Sequence, residues 1–479
     1  MAVTAQNEAT FLWHDYETWG INPRRDRASQ FAGIRTNLDL EEIGEPMNLY
    51  CKPSDDYLPH PQACLITRIT PQKAQAQGLS EFDFYRTIND AFMQPNTCGV
   101  GYNSIRFDDE VTRHGFFRNF MDPYAREWQN GNSRWDVMDL LRMAHALRPE
   151  GIHWPKDEKG KTTFRLEKLT AANNIAHDGA HDALSDVRAT IAMARLVKQT
   201  NPRLFDFYFK LRSKVEAGRL LSVTNPEMLL HISGMYPSTQ GCLSPVIPVL
   251  QHPTNKNEII VYDLRKSPKA MLEMSVEALS ENLFSKKADL PEGTERVGLK
   301  GVHLNKSPAL APMKTLSSEM AEHWEVDLAQ CEQHRQEILN DADLRDKLMA
   351  LYQTRQFSDD SEDMESALYS GFISNNDRKL CNTLLKKKPE QLASWRPNFD
   401  DQRLQAIYPR FIARNWPELL DQQAIMKWQG YCQARVLDGE YGSTITAAEY
   451  QDELEQLASQ ELSETEQKIL MQLVQWLQR

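Results

Sequence analysis

The stretch FLWHDYETWG, residues 11–20, sets two carboxylates, Asp15 and Glu17, in an otherwise apolar and aromatic segment. With the two-residue period of a β-strand over 9–17, Phe11, Trp13, Asp15 and Glu17 share one face, and Leu12, His14 and Tyr16 share the other. Both acids therefore project from the same side of one strand. Like charges at that spacing repel, and burial sharpens the repulsion. Either a cation sits between them or one of them is protonated.

The chain around this segment has 479 residues, more than one ordinary core accommodates, so about two to four domains are expected. A hydrophobic content of 41% and a charged content of 25% are those of a soluble globular protein. The seven cysteines form no C-x-x-C pair and no Cys/His cluster. That argues against zinc sites and a disulfide framework, and it fits a reducing cytosol. MAVTAQNEAT at the start has no basic region and no apolar core, and no run approaches ~18 apolar residues. Neither a secretory leader nor a membrane span is expected.

The net charge of −12 speaks against a phosphate-rich partner, but an overall charge averages over local fields. Seven arginines lie between Arg106 and Arg148, and a KKK run occupies 386–388, whereas 449–466 is mostly acidic. Solvated helix faces account for these runs equally well.

Residues 1–200 mix strand-like segments (9–17, 97–102) with helical ones at 107–120, 136–148, 166–173 and 183–199, the pattern of an α/β domain. Between 220 and 310, short β-branched runs such as SPVIPVL and NEIIVYDL indicate a small β-rich domain. Beyond 317 nearly everything is helix-forming, interrupted by SDDSEDMES at 358–366, which reads as a solvated interdomain loop. The expected layout is 1–200 α/β, 201–354 β-rich and 355–479 all-α.

Further acids have strong context. In GYNSIRFDDEVTRHGFFRN (101–119), Asp108 opens a helix, a place where acids also simply complement the helix dipole. In GAHDALSDVRATIAMARLVK (179–198), Asp182 reads as an N-cap, and Asp186 shares a stripe with Thr190, Met193 and Val197. A carboxylate on such a stripe needs a partner from another element or from a metal. Asp15, Glu17, Asp108 and Asp186 form an all-oxygen donor set suited to Mg²⁺ or Mn²⁺. Two such ions ~3.5–4 Å apart can clamp the attacking and leaving oxygens of a phosphodiester. His181, in the turn before the helix, would take the proton from the attacking water.

HDYET, YNSIRFDDE and HDALSD, in this order and spacing, resemble the DEDD exonucleases, which have an RNase H-like fold. The His-x4-Asp arrangement is similar to the DEDDh branch; the tyrosine variant would need tyrosine at 182, where this chain has Asp182. The resemblance implies four acids holding two Mg²⁺ ions and a histidine general base for 3′→5′ hydrolysis. By motif position these roles fall on Asp15, Glu17, Asp108, Asp186 and His181. Blocks such as CKPSDDYLPHPQACLITRITPQ, NSRWDVMDLLRMAHALRPEGIHWP, RLEKLTAAN, HLNKSPAL and ALYSGF extend the similarity to the bacterial exodeoxyribonuclease I family along essentially the whole chain. That resemblance implies an RNase H-like exonuclease domain, an SH3-like β-rich domain and an all-α C-terminal domain enclosing a channel. It also implies degradation of single-stranded DNA to 5′-mononucleotides in the bacterial cytosol, in repair or recombination. The implied partner is the acidic C-terminal tail of the single-stranded-DNA-binding protein. A monomer is expected, since one chain can enclose its own channel.

A non-specific strand channel pairs cations with aromatic platforms. RNFMDPYAREWQNGNSRW (118–135) interleaves both, and aromatics at 120, 124 and 128 would line one helix face, although core packing explains such a stripe as well. Tyr124 and Trp128 are the stacking candidates. Arg113, Arg142 and Arg165 are the phosphate candidates, the last because a cation at a helix start does not serve the dipole. Glu17 would also meet the substrate. Lys214, Asn257, Asn305, Lys306 and Tyr369 come from blocks similar to the family's channel-lining segments. His14 and His114 are expected in ordinary hydrogen bonds.

Three other readings remain open on the residues alone. They are a 3′ exoribonuclease or proofreading-type nuclease, a binding module with structural acids, and a glycosidase using Asp15 and Glu17, whose backbones as i and i+2 lie ~7 Å apart.

Overall fold

Residues 8–177, 179, 182–353 and 363–478 are described by a computed structural model of the chain. The chain forms two units, one of Met1–Ser133, His177–Ala189 and Ser358–Arg479, the other of Arg134–Ala176 and Thr190–Phe357. This division cuts across the three consecutive segments expected, because the helices after residue 363 bury their apolar faces in the first unit.

In the first unit, β1 (Thr10–Thr18) lies inside a sheet with β2 (Ala28–Thr36), β3 (Met47–Tyr50) and β4 (Thr97–Gly101), in the order β3-β2-β1-β4. β1 pairs antiparallel with β2 and parallel with β4. A parallel pair needs a crossover. Part of it is the helix Glu81–Phe92, capped by the Ser80 side chain and burying Phe82, Phe84, Tyr85, Ile88 and Phe92. Both faces of β1 are covered, so Phe11, Leu12, Trp13 and Tyr16 are all buried.

The helix expected at 107–120 is Asp108–Arg118. It cannot continue through the aromatic stripe, because Phe120 takes a left-handed conformation (φ 60°) and buries against Phe399 and Phe411. Beyond it come Pro123 and two short 3₁₀ turns, Ala125–Glu127 and Gln129–Gly131. Residues 120, 124 and 128 therefore do not share a helix face, and the i, i+4 expectation is corrected.

Two apolar cores join early and late sequence. One packs Leu12, Phe82 and Phe120 with Leu404, Ile407 and Phe411 of the helix Gln402–Asn415. The other packs Trp19, Tyr57 and Leu65 with Tyr450, Leu454 and Leu473 of the helices Ala447–Ala458 and Glu464–Leu477. Each of those two helices starts with a capping box, Thr446/Glu449 and Ser463/Glu466.

Between these cores lies a buried ion network. Arg414 reaches Asp56 at 2.9 Å, Glu365 at 2.8 Å and Glu81 at 3.5 Å. Arg27 pairs with Asp56 at 2.6 Å and Glu365 at 3.3 Å, and Arg118 pairs with Glu81 at 2.7 Å. Asp363 and Glu365 are thus buried, which corrects the reading of their stretch as a solvated loop: arginines from three elements neutralise them. Residues 358–362 of that stretch, and the expected boundary at 354/355, lie outside the described residues.

The second unit holds an antiparallel sheet of β5 (Leu229–Ile232), β6 (Leu243–Gln251), β7 (Glu258–Asp263), β8 (Leu299–His303) and β9 (Ala309–Pro312), in the order β9-β5-β6-β7-β8. The same unit contains the helix Val137–Leu147, capped by Asp136, with Val137, Leu140, Leu141 and Ala144 buried as their spacing predicts. Among the described residues no helix is long and apolar enough to cross a membrane.

Burial alone would raise the Glu365 carboxyl, but Arg414 and Arg27 outweigh it and pull it down to about 2. A depressed carboxyl stabilises the fold above its unfolded value of about 4.3, and that contribution is lost as pH falls toward about 2. Removing one member strands buried charge, so Arg414→Ala should lose about 3–5 kcal/mol in urea unfolding at neutral pH. A loss below about 1 kcal/mol, the size of an exposed ion pair, would contradict this.

Candidate active site

Asp15 and Glu17 leave the end of β1, opposite Ala32 and Gln30 of β2. Gln30 donates from Nε2 to Asn48 Oδ1 (2.9 Å) and to Asp182 Oδ1 (3.2 Å). Asp182 in turn accepts from the Ser185 amide at 3.3 Å, so it caps the helix Ala183–Thr200 as its position predicts. The sheet thus fixes the start of the helix whose first turn carries Asp186. Oxygens of Asp15, Glu17 and Asp186 all lie within 4.8 Å of one another.

Asp108 is buried at the start of its helix, and its Oδ1 accepts from the Tyr16 amide at 3.1 Å. It is the charge that acts most on Asp15, and it is held by the residue between Asp15 and Glu17. The Thr112 hydroxyl donates to the Asp108 carbonyl (2.8 Å) and lies within hydrogen-bond distance of the Tyr16 hydroxyl (3.1 Å), which locks the two elements together.

The electrostatics follow from this crowding. Burial, then Asp108, Glu17, Asp186 and Asp182, hold the Asp15 carboxyl well above the carboxylate range. Burial, then Asp186, Asp108 and Asp182, push Glu17 up to about 9. The charges that act most on both are negative, so Asp15 and Glu17 hold protons more tightly than free carboxyls do. An all-oxygen, anionic donor set at this spacing fits a hard divalent cation. His14 and His114 are pushed down to about 4, chiefly by burial, so they stay neutral; the His114 Nδ1 meets the Glu110 carbonyl at 2.9 Å.

His181 lies outside the described residues. Sequence reasoning missed His177, whose Nε2 lies 2.5 Å from Asp186 Oδ1. The signal was present in HDGAH, where a second histidine precedes His181 by four positions.

The strand-binding candidates separate by environment. Arg113 is buried and donates to Glu127 (2.7 and 2.9 Å), Glu110 (2.8 Å) and the Tyr369 hydroxyl (3.1 Å). Its guanidinium thus lies among Glu127, Glu110 and the Tyr369 hydroxyl, and over the Tyr124 ring at 5.2 Å. Tyr369 donates to Glu110 at 2.7 Å and receives the Arg24 guanidinium over its ring at 5.1 Å. Tyr124, Trp128, Tyr369 and Phe372 line a cavity of about 640 Å³, with Trp128 62% exposed.

In the second unit, Arg165 is exposed at the N-cap of the helix Leu166–Ala172 and makes no side-chain cap bond. Arg142 is mostly buried, paired with Asp139 at 2.7 Å and lying over Phe164 at 5.7 Å. Lys214 donates to Asn257 at 2.9 Å. The Asn257 carbonyl accepts from Leu304 at 2.7 Å, which brings Asn257 beside the Asn305–Lys306 turn after β8.

A family model described as Exonuclease matches residues 12–194. An Exonuclease I SH3-like domain model matches 212–354, and an Exonuclease I C-terminal domain model matches 362–479. Two curated proteins named Exodeoxyribonuclease I, from Haemophilus influenzae and Escherichia coli, are each 42% identical, with 97% of both chains covered. Among solved structures, an Exonuclease I from Methylocaldum szegediense has a TM-score of 0.93 at 45% identity, covering 98% of this chain and 99% of that one. A zinc-ion-bound E. coli ExoI–ssDNA complex has a TM-score of 0.90 at 41% identity, covering 98% and 99%. An ExoI/SSB-Ct complex has 0.91 at 40%, covering 99% of each chain.

A sheet that carries converging carboxylates under an exonuclease model defines the class: an exonuclease with an α/β catalytic domain followed by SH3-like and C-terminal domains. Identity along 97% of the chain narrows this further, and the chain belongs to the exodeoxyribonuclease I family.

Asp15 and Glu17 have proton affinities raised by folding. Their contribution to the stability of the metal-free protein therefore falls as pH rises from about 4.3 toward about 9. A cation that displaces the protons should stabilise the fold more at about pH 9 than at about pH 6. Thermal unfolding with chelator and with Mg²⁺ across this range measures the difference. A gain that does not change with pH would contradict the assignment of raised proton affinity to these acids.

Proposed function

We propose that the chain is a Mg²⁺-dependent 3′→5′ exonuclease that releases 5′-mononucleotides from single-stranded DNA. The observation that carries this reading is the convergence of Asp15, Glu17 and Asp186 within 4.8 Å, with the Asp15 and Glu17 carboxyls raised by burial and by their acidic neighbours. Those three residues, with Asp108, would hold the ions. Mn²⁺ is the expected substitute. When bound, two such ions supply a nucleophilic water and charge stabilisation for the attacking and leaving oxygens.

The remaining chemistry belongs to the chain. His181 accepts the proton of the attacking water, the phosphorus–3′-oxygen bond breaks, and the terminal nucleotide leaves with its 5′-phosphate. Asp108, pinned to the Tyr16 amide, keeps Asp15 and Glu17 in register with the helix start. Tyr124, Trp128 and Tyr369 offer rings to bases, while Arg165, Lys214 and Lys306, with Asn257 and Asn305 beside them, face the backbone. The functional segments are 1–200 (exonuclease), 201–354 (SH3-like) and 355–479 (C-terminal).

The related E. coli complex with single-stranded DNA supports the substrate. The ExoI/SSB-Ct complex supports the acidic tail of the single-stranded-DNA-binding protein as a partner. The role proposed is DNA repair or recombination in the bacterial cytosol, as the family resemblance implies.

A 5′-labelled single-stranded DNA oligomer, with RNA and duplex controls, tests this reading. A ladder shortened from the 3′ end is expected on the DNA alone. Asp186→Ala should slow it by at least about 10³-fold, the scale of the several kcal/mol a metal gives a charged transition state. Shortening of RNA alone, or cleavage that survives both chelator and Asp186→Ala, would contradict the proposal.

A further inference from the structure

We infer that His177 is a positioning residue for Asp186, holding that carboxylate in place for the cation; this rests on the function proposed above. Asp186 stands in the first turn of its helix among carboxylates that repel it, and its side chain is 19% exposed. An aspartate has two rotatable side-chain bonds, so an unrestrained Asp186 could turn its carboxylate toward water. The His177 imidazole opposes that rotation. Its Nε2 lies 2.5 Å from Asp186 Oδ1, and its side chain is only 6% exposed. A packed ring is a stiffer restraint than a solvated chain.

The chemistry is one-sided. An ionised carboxylate can only accept, so Nε2 carries the proton and donates it to Oδ1. A carboxylate bonded through one lone pair keeps the others for a cation. Hydrogen bonds of this kind orient metal-ligating carboxylates, and their loss costs about 10–100-fold in metal affinity. His177 lies nine residues before Asp186 and, like it, belongs to the first unit.

The test uses the full-length protein without DNA and Mn²⁺ as the probe, with free Mn²⁺ read by electron paramagnetic resonance. Wild type is compared with His177→Ala, His177→Gln and Asp186→Asn. His177→Ala should weaken the Mn²⁺ Kd by about 10–100-fold and leave the metal-free Tm unchanged. His177→Gln, whose amide N–H reaches about as far as Nε2, should recover most of the affinity. A wild-type Kd in His177→Ala overturns the inference. So does a fall in metal-free Tm that His177→Gln does not repair, because His177 would then be structural only. If Asp186→Asn binds Mn²⁺ as wild type does, the carboxylate group is not the metal site, and the proposed function falls together with this inference.

Discussion

The structure depends on an electrostatic conflict at the end of β1. Three carboxylates within 4.8 Å, with Asp108 and Asp182 beside them, cannot all ionise in a site whose strongest electrostatic neighbours are also negative. A protein selected only for stability would not keep such a group, since each acid could be neutral without loss of packing. The conflict resolves when a divalent cation supplies the missing charge. That is why the site reads as a binding site for hard metal ions and not as an ordinary acidic patch.

The surroundings keep the acids from escaping it. Trp19, two residues beyond Glu17, is buried in a core built with the final helices, so the strand end cannot swing outward. Asp26 accepts from the Tyr57 hydroxyl (2.8 Å) and from the Asn22 amide (2.8 Å), which holds the β1–β2 connection. Gln30 and Asp182 tie the helix start to β2, and Tyr16 and Thr112 tie Asp108 to β1. The buried Arg27–Asp56–Arg414–Glu365 network joins the late helices to the same unit. There arginines face the carboxylates, whereas Asp15 and Glu17 feel chiefly other acids, and this contrast separates a structural ion network from a reactive one.

How far these features were legible depends on their range. Strand 9–17, helix 137–147 and the short strands after 229 carry local periodicity, and periodicity survives folding. Asp15, Glu17 and Asp186 were legible because each motif has its own spacing, although their convergence needed the fold. The stripe at 120, 124 and 128 misled because i, i+4 spacing cannot register a left-handed Phe120. The pairing of Arg113 left no local sign, because Glu127 is fourteen positions away and Tyr369 still further. The acids at 363 and 365 looked solvated because their arginines lie in distant segments. Long-range charge pairing leaves no local trace. The burial of the late helices in the first unit is likewise visible only in three dimensions.

The most direct test of the central claim is anomalous diffraction from crystals of the protein grown with Mn²⁺. Manganese peaks are expected between Asp15, Glu17 and Asp186, two of them ~3.5–4 Å apart if both ions bind without DNA. Crystals that show no manganese at these carboxylates, from protein that still shortens single-stranded DNA in the same solution, would contradict the account.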